Sequence, residues 1–120
     1  MLVEKEKTGI YGVSGITQDQ KQRILDFLHG MVYAQCANAP DEWFSVRSFL
    51  GAENFDWGDT PLQILYEKHI SSGKNSDDAI DSAGKDAGKL LKKAIDMSNR
   101  EFETKKEHLI RKYKWIRQNL

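Results

Sequence analysis

The chain is short of the residues that would place it in several familiar protein classes. A single cysteine, Cys36, in 120 residues excludes a disulfide framework, and no Cys/His spacing suggests a zinc site. No apolar run approaches the roughly 18 residues that a membrane span needs. The first residues also lack the apolar core of a signal peptide, so the expected home is the reducing cytoplasm. Gly-x-Ser-x-Gly, a phosphate-binding loop, His-Glu-x-x-His and a Cys/His pair with an orienting third residue are all missing. The expectation is therefore a protein that is not an enzyme and carries neither cofactor nor metal. Only two prolines occur, Pro40 and Pro61, and both read as marks at element boundaries. What is present fits a globular domain: 39% of residues are hydrophobic and 30% charged. A chain of this length buries about two-thirds of its unfolded surface, enough for one core without staples.

Eighteen basic side chains balance eighteen acidic ones, but not evenly along the chain. Residues 1–84 carry seven Lys/Arg against thirteen Asp/Glu, whereas residues 85–120 carry eleven against five. Such asymmetry points to an anionic partner for the basic part, with a dipolar surface, or attraction within or between subunits, as the plain alternative.

Residues 1–16 read as an N-terminal arm, flexible or pairing along an edge, ahead of a single domain over residues 17–120. Its glycines at 9, 12 and 15 do not form the dinucleotide fingerprint. Thr17 with Gln20 makes a capping box for a helix running to about Ala37. Ile24, Leu25, Leu28, Met31, Val32 and Cys36 recur along it at helical spacing. His29 and Cys36 read as packing residues, and Gly30 as a place for close approach. A second, short helix is expected after Asp41, with Trp43, Phe44, Val46, Phe49 and Leu50 as its bulky content and Gly51 as its cap. Residues 53–59 read as a loop whose two aromatics, Phe55 and Trp57, fold back onto the core, and Thr60-Pro61 opens a third helix with Leu62, Leu65, Tyr66, His69 and Ile70 on one face.

Ser76 is expected to cap a fourth helix over residues 77–95, with Asp77 and Asp78 at its positive end and Lys92 and Lys93 at its negative end. Ile80, Ala87, Leu91 and Ala94 share one side, and Lys85, Lys89, Lys92 and Lys93 the other, which Asp78, Asp86 and Asp96 border. Beyond residue 99 the period becomes two. Leu109, Arg111, Tyr113 and Trp115 alternate with Lys112, Lys114 and Ile116, and residues 100–105 alternate as well. A hairpin turning near residues 106–108 is expected, with a continuous helix, and hence an all-α bundle, as the rival. The fold class is mainly α with a C-terminal β-hairpin.

Three helices, a basic helix and a basic hairpin, in that order, resemble a winged helix-turn-helix domain. The resemblance is sharpest over residues 84–117, where Gly-Lys-Asp-Ala-Gly-Lys-Leu-Leu-Lys-Lys-Ala-Ile looks like a recognition helix and Arg-Lys-Tyr-Lys-Trp-Ile like the end of a wing. It implies a regulatory protein that binds double-stranded DNA, with the helix in the major groove and the wing on phosphates or in the minor groove. Lys85, Lys89, Lys92 and Lys93 would then face the groove. Lys105, Lys106, Arg111, Lys112 and Lys114 would be mainly phosphate contacts, and Arg100 would serve either role. Such domains are commonly two-fold dimers, although no dimer seam is marked here. The helix departs from the pattern in its aspartates, and the connection over residues 51–60 is longer than in many winged helices.

A shorter stretch, residues 51–65 with Trp57-Gly-Asp-Thr-Pro-Leu-Gln-Ile-Leu, is similar to the Gly-x-Thr-Pro-Leu stretch in the toxin-binding domain of ParS-type bacterial antitoxins, although ordinary helix capping produces Thr-Pro-Leu as well. That resemblance implies a protein partner. The aromatics give the same alternative a footing: if Phe55 and Trp57 lie open on their loop, they form an anchor for another protein, and the chain is an interaction module such as an antitoxin or an inhibitor. Glu107-His108 in a basic run also admits an acid–base pair, though a solvated histidine at the wing tip is the commoner outcome. Asp77-Asp78 serves a helix N-terminus more simply than it binds a divalent ion.

Overall fold

A computed structural model describes residues 1–2, 12–50 and 57–117. The order of elements is α1 (Gln18–Asn38), α2 (Val46–Leu50), α3 (Gln63–Ser71), α4 (Ser76–Met97), β1 (Phe102–Glu107) and β2 (Ile110–Trp115). The domain is mainly helical with a C-terminal antiparallel hairpin.

The start of α1 follows from its sequence. The Thr17 hydroxyl accepts from the Gln20 backbone N–H, and the Gln20 side chain accepts from the Thr17 N–H. This reciprocal box satisfies two of the donors a helix start leaves open. Its buried stripe is Ile24, Leu25, Leu28, Val32 and Cys36, and Met31 is only partly buried. Gly30 is not a point of close approach, because a Cβ built there would meet nothing within 4 Å.

Helix α4 is the centre of the domain, packed against both α1 and α3. Asn75 rather than Ser76 caps it, accepting from the Asp78 N–H at 2.9 Å. Ala79, Ala83, Ala87, Leu90, Leu91, Ala94 and Ile95 are its buried apolar residues. Four alanines in that stripe let neighbouring helices come close, at the cost of little apolar area per residue. Ile80 does not belong to the stripe: it is 50% exposed, one position round the helix from Ala79. Asp86 departs in the opposite sense. It lies inside, where Lys68 Nζ and His69 Nε2 each donate to its Oδ2 at 2.8 Å. A buried carboxylate persists because two donors from α3 compensate it.

The second helix is shorter than its bulky residues suggest. Phe44 is not helical. It exchanges two backbone hydrogen bonds with Tyr113, Phe44 N–H donating to Tyr113 O at 2.8 Å and Tyr113 N–H to Phe44 O at 2.7 Å. On the opposite edge Leu2 bridges Phe102 in parallel, with Phe102 N–H donating to Met1 O at 2.8 Å. The hairpin is thus flanked on both sides by single extended residues, which covers backbone groups that an open edge would expose. The rings of Phe44, Phe49, Phe102 and Tyr113 meet beneath it, Phe44 lying 5.4 to 6.1 Å from each of the others.

Before α3, the backbone turns at residues 58–62 and the Thr60 hydroxyl accepts from the Leu62 N–H at 3.2 Å. The helix proper begins at Gln63, two residues after Pro61, and Ile70 is 40% exposed rather than in the core. Trp57, at the mouth of that turn, is 6% exposed and belongs to the core. It folds inward as expected of the loop aromatics, and the condition for Trp57 to act as an open anchor is not met, because a side chain packed inside the domain offers no surface to a partner. Phe55 and Gly51 lie outside the described residues. Lys68 also reaches back to the chain before α1, donating to the Ser14 carbonyl. Gly15 beside it takes φ 81°, a left-handed turn that a side chain would oppose.

Candidate nucleic-acid interface

The hairpin register is fixed residue by residue: Phe102 opposes Trp115, Thr104 opposes Tyr113, Lys105 opposes Lys112, Lys106 opposes Arg111 and Glu107 opposes Ile110. Directly opposed residues share a face, and faces alternate along each strand. Phe102, Thr104 and Lys106 therefore share one face with Trp115, Tyr113 and Arg111. That face begins on the core, where Phe102 and Tyr113 are buried, and ends at the cation pair Lys106/Arg111. Glu103, Lys105 and Glu107 share the other with Lys114, Lys112 and Ile110.

Two consecutive rows of the hairpin thus set cation against cation. Like charges directly opposite one another destabilise a β-ladder. The Lys105/Lys112 row is relieved by Glu107, whose carboxylate lies 3.0 Å from Lys105 Nζ and 3.3 Å from Lys112 Nζ. Hydrogen bonds from both lysines, and then their charges, hold the Glu107 carboxyl below its usual range. Lys105 also stands over the Trp43 ring, 4.3 Å from its centroid. The Lys106/Arg111 row has no such relief. Arg111 donates to the Thr104 hydroxyl at 3.3 Å, and no carboxylate among the described residues pairs with either cation.

The turn joining the strands is His108-Leu109, one residue later than the alternation suggests. Both residues have positive φ, 51° and 67°. A two-residue turn of that kind follows the twist of the strands but favours Asn-Gly, so a histidine and a leucine occupy it under strain. Leu109 is 89% exposed.

At the base of the hairpin Arg100 lies between two rings, its guanidinium 4.6 Å from the centroid of Tyr33 on α1 and 4.7 Å from that of Trp115. The Arg117 guanidinium lies 5.7 Å from the centroid of the same Trp115 ring and pairs with Asp41 at 2.8 Å. Planar guanidinium stacking of this kind ties the hairpin to α1. Arg100 is therefore engaged in positioning the hairpin rather than presented to solvent.

The lysines of α4 divide. Lys85 and Lys89 are exposed, whereas Lys92 and Lys93 are partly buried. Lys85 pairs with Asp81 one turn earlier at 3.2 Å, and both side chains are largely in solvent. The first turns of α4 expose Asp77, Asp78 and Asp81, so its basic surface starts only at Lys85. Lys114 on the hairpin is partly buried opposite Glu103.

Cys36 and His29 sit as packing residues. Burial pushes the Cys36 thiol up despite the opposing charge of Arg100, which leaves it unreactive. His29 Nε2 lies 2.9 Å from the Ala94 carbonyl and ties α1 to α4. His108 is exposed at the turn, as expected. Among the described residues no group of three His, Cys, Asp or Glu side chains could hold a metal ion, and no helix is long and apolar enough to cross a membrane.

Sequence reasoning missed three contributors. Trp43 was expected in a helix, yet it lies beside Lys105 because its neighbour Phe44 pairs with β2. Tyr33 lies at helical spacing beside the α1 stripe, which suggests a core residue, yet it is 55% exposed and meets Arg100. Leu109 belongs to the alternating run of residues yet sits in the turn, since nothing in a His-Leu pair signals a tight turn. No protein-family model, curated protein or solved structure matches the chain.

Proposed function

We propose that this chain is a regulatory protein that binds double-stranded DNA, through the hairpin and the basic middle of α4. The observation that carries the proposal is the pair of consecutive cation rows, Lys105/Lys112 on one face of the hairpin and Lys106/Arg111 on the other, of which the second has no carboxylate partner among the described residues. Directly opposed like charges cost stability in the free protein, and a polyanion offsets that cost on binding. The same hairpin is fixed to α1 through Arg100, so its cations are presented on a rigid element.

Lys85 and Lys89 add exposed charge on the helix that leads into the hairpin. The acidic first turns of α4 repel phosphate, so the contact on this helix is centred on Lys85 to Lys93 rather than on its N-terminus. Contacts of this kind position a protein on a duplex, and sequence is then read by whichever side chains reach base edges.

Charge reversal tests the proposal. Lys89→Glu and Arg111→Glu should each weaken duplex binding, with the helical content of the wild type retained by circular dichroism. The double variant should lose binding altogether. Unchanged affinity in both single variants would remove these surfaces from the interface.

A further inference from the structure

The hairpin ends in an arrangement that phosphate contact alone does not use. Leu109 is the most exposed large hydrophobic residue described, 89% in solvent, at the tip of a ribbon otherwise rich in charge. It is held there by a left-handed backbone, φ 67°, preceded by His108 at φ 51°. Asn-Gly would relax this turn. The conformation therefore holds a branched apolar side chain in solvent at the hairpin tip at a cost in backbone strain. Two rows back stand Lys106 and Arg111, side by side on one face without a carboxylate partner among the described residues. An apolar tip backed, on one face of the ribbon, by two cations without a carboxylate partner among the described residues is the chemistry of a wedge. The cations meet phosphates on the groove walls while the apolar side chain enters between bases.

We infer that Leu109 inserts into the stack of a DNA duplex from the minor groove, at a step that unstacks easily, while Lys106 and Arg111 hold the adjacent phosphates. This rests on the DNA-binding proposal above and adds to it a preference: the favoured sites are those already weakened, such as flexible pyrimidine–purine steps and mismatches. Charge complementarity selects the occupant. An anionic bilayer also offers charge and an apolar interior, but a single leucine supplies little anchoring there, whereas one side chain suffices to wedge one base step.

The test compares two labelled 30-base-pair duplexes that differ only in a central two-base mismatch, each titrated with the whole protein by fluorescence anisotropy. Where the unstacking cost has already been met, affinity should rise about tenfold. Leu109→Ala should keep the affinity for the intact duplex within about twofold, since its charges are unchanged, and lose the preference for the mismatch. Leu109→Phe should retain that preference. Salt-sensitive binding of both duplexes with equal affinity would overturn the wedge and leave the DNA-binding proposal standing. A preference that survives in Leu109→Ala would also overturn it. No binding of either duplex at low salt would overturn both. Vesicles containing phosphatidylserine form the last arm. Binding to them that is lost in Leu109→Ala, with no effect of that variant on DNA, would assign the tip to a membrane surface instead.

Discussion

Lys106 and Arg111 face each other directly across the hairpin on one side of the sheet, and no carboxylate among the described residues pairs with either. Their opposition is unfavourable in the free protein. Arg111→Glu should therefore stabilise the isolated domain, by about 0.5 kcal/mol, because it turns a like-charge cross-strand pair into an opposite one. The same variant should weaken DNA binding. Thermal unfolding and duplex titration of one variant, moving in opposite directions, would identify the pair as kept for a ligand rather than for the fold.

Glu107 offers a complementary prediction. It neutralises Lys105 and Lys112, so Glu107→Gln should tighten duplex binding and steepen its salt dependence by about one unit of log–log slope. Its carboxyl is held below the usual range, so the folded state favours the ionised form. The resulting contribution is present above the ordinary carboxylate range and is lost as pH falls through the lowered folded value. An NMR titration of the Glu107 side-chain carboxyl should place its midpoint below the ordinary glutamate value.

At the hairpin tip, His108→Asn with Leu109→Gly replaces two side chains held at positive φ by the pair that such turns favour. The double variant should gain about 1 kcal/mol, read as a rise of roughly 4 °C in the thermal midpoint. It should at the same time lose any selectivity for weakened duplex sites. Gain of stability with loss of selectivity is the signature of strain retained at a functional site.

Asp86 tests the interior. Replacing it by alanine leaves Lys68 and His69 facing one another with their shared acceptor gone, which should cost about 3 kcal/mol in urea unfolding. Asp86→Asn keeps an acceptor and should cost less.

Much of this architecture is legible in the residues themselves, wherever local rules decide. The capping box at Thr17, the core stripe of α1 and the alternation from Arg100 onward all place their elements correctly. Long-range partners are what the sequence does not display. Asp86 reads as solvent-facing by its charge, and only the packing of α3 on α4 supplies the donors that keep it inside. Phe44 has neighbours typical of a helix, yet Tyr113, almost seventy positions later, draws it into a β-bridge. Trp57 is the exception: its loop is expected to fold its aromatics inward, and Trp57 does enter the core. The basic residues of the hairpin were identifiable by type. Their opposition in rows depends on a register set by a two-residue turn without glycine, which no local signal announces.

The central claim is that the hairpin and α4 bind a polyanion by charge. Fluorescence anisotropy of a labelled random 30-base-pair duplex, titrated at about 50 and 200 mM salt, tests it most directly. The account predicts micromolar binding at the lower salt and a loss of about a hundredfold at the higher, as four or more phosphate contacts require. Absence of binding at low salt, or an affinity that salt does not change, would contradict it.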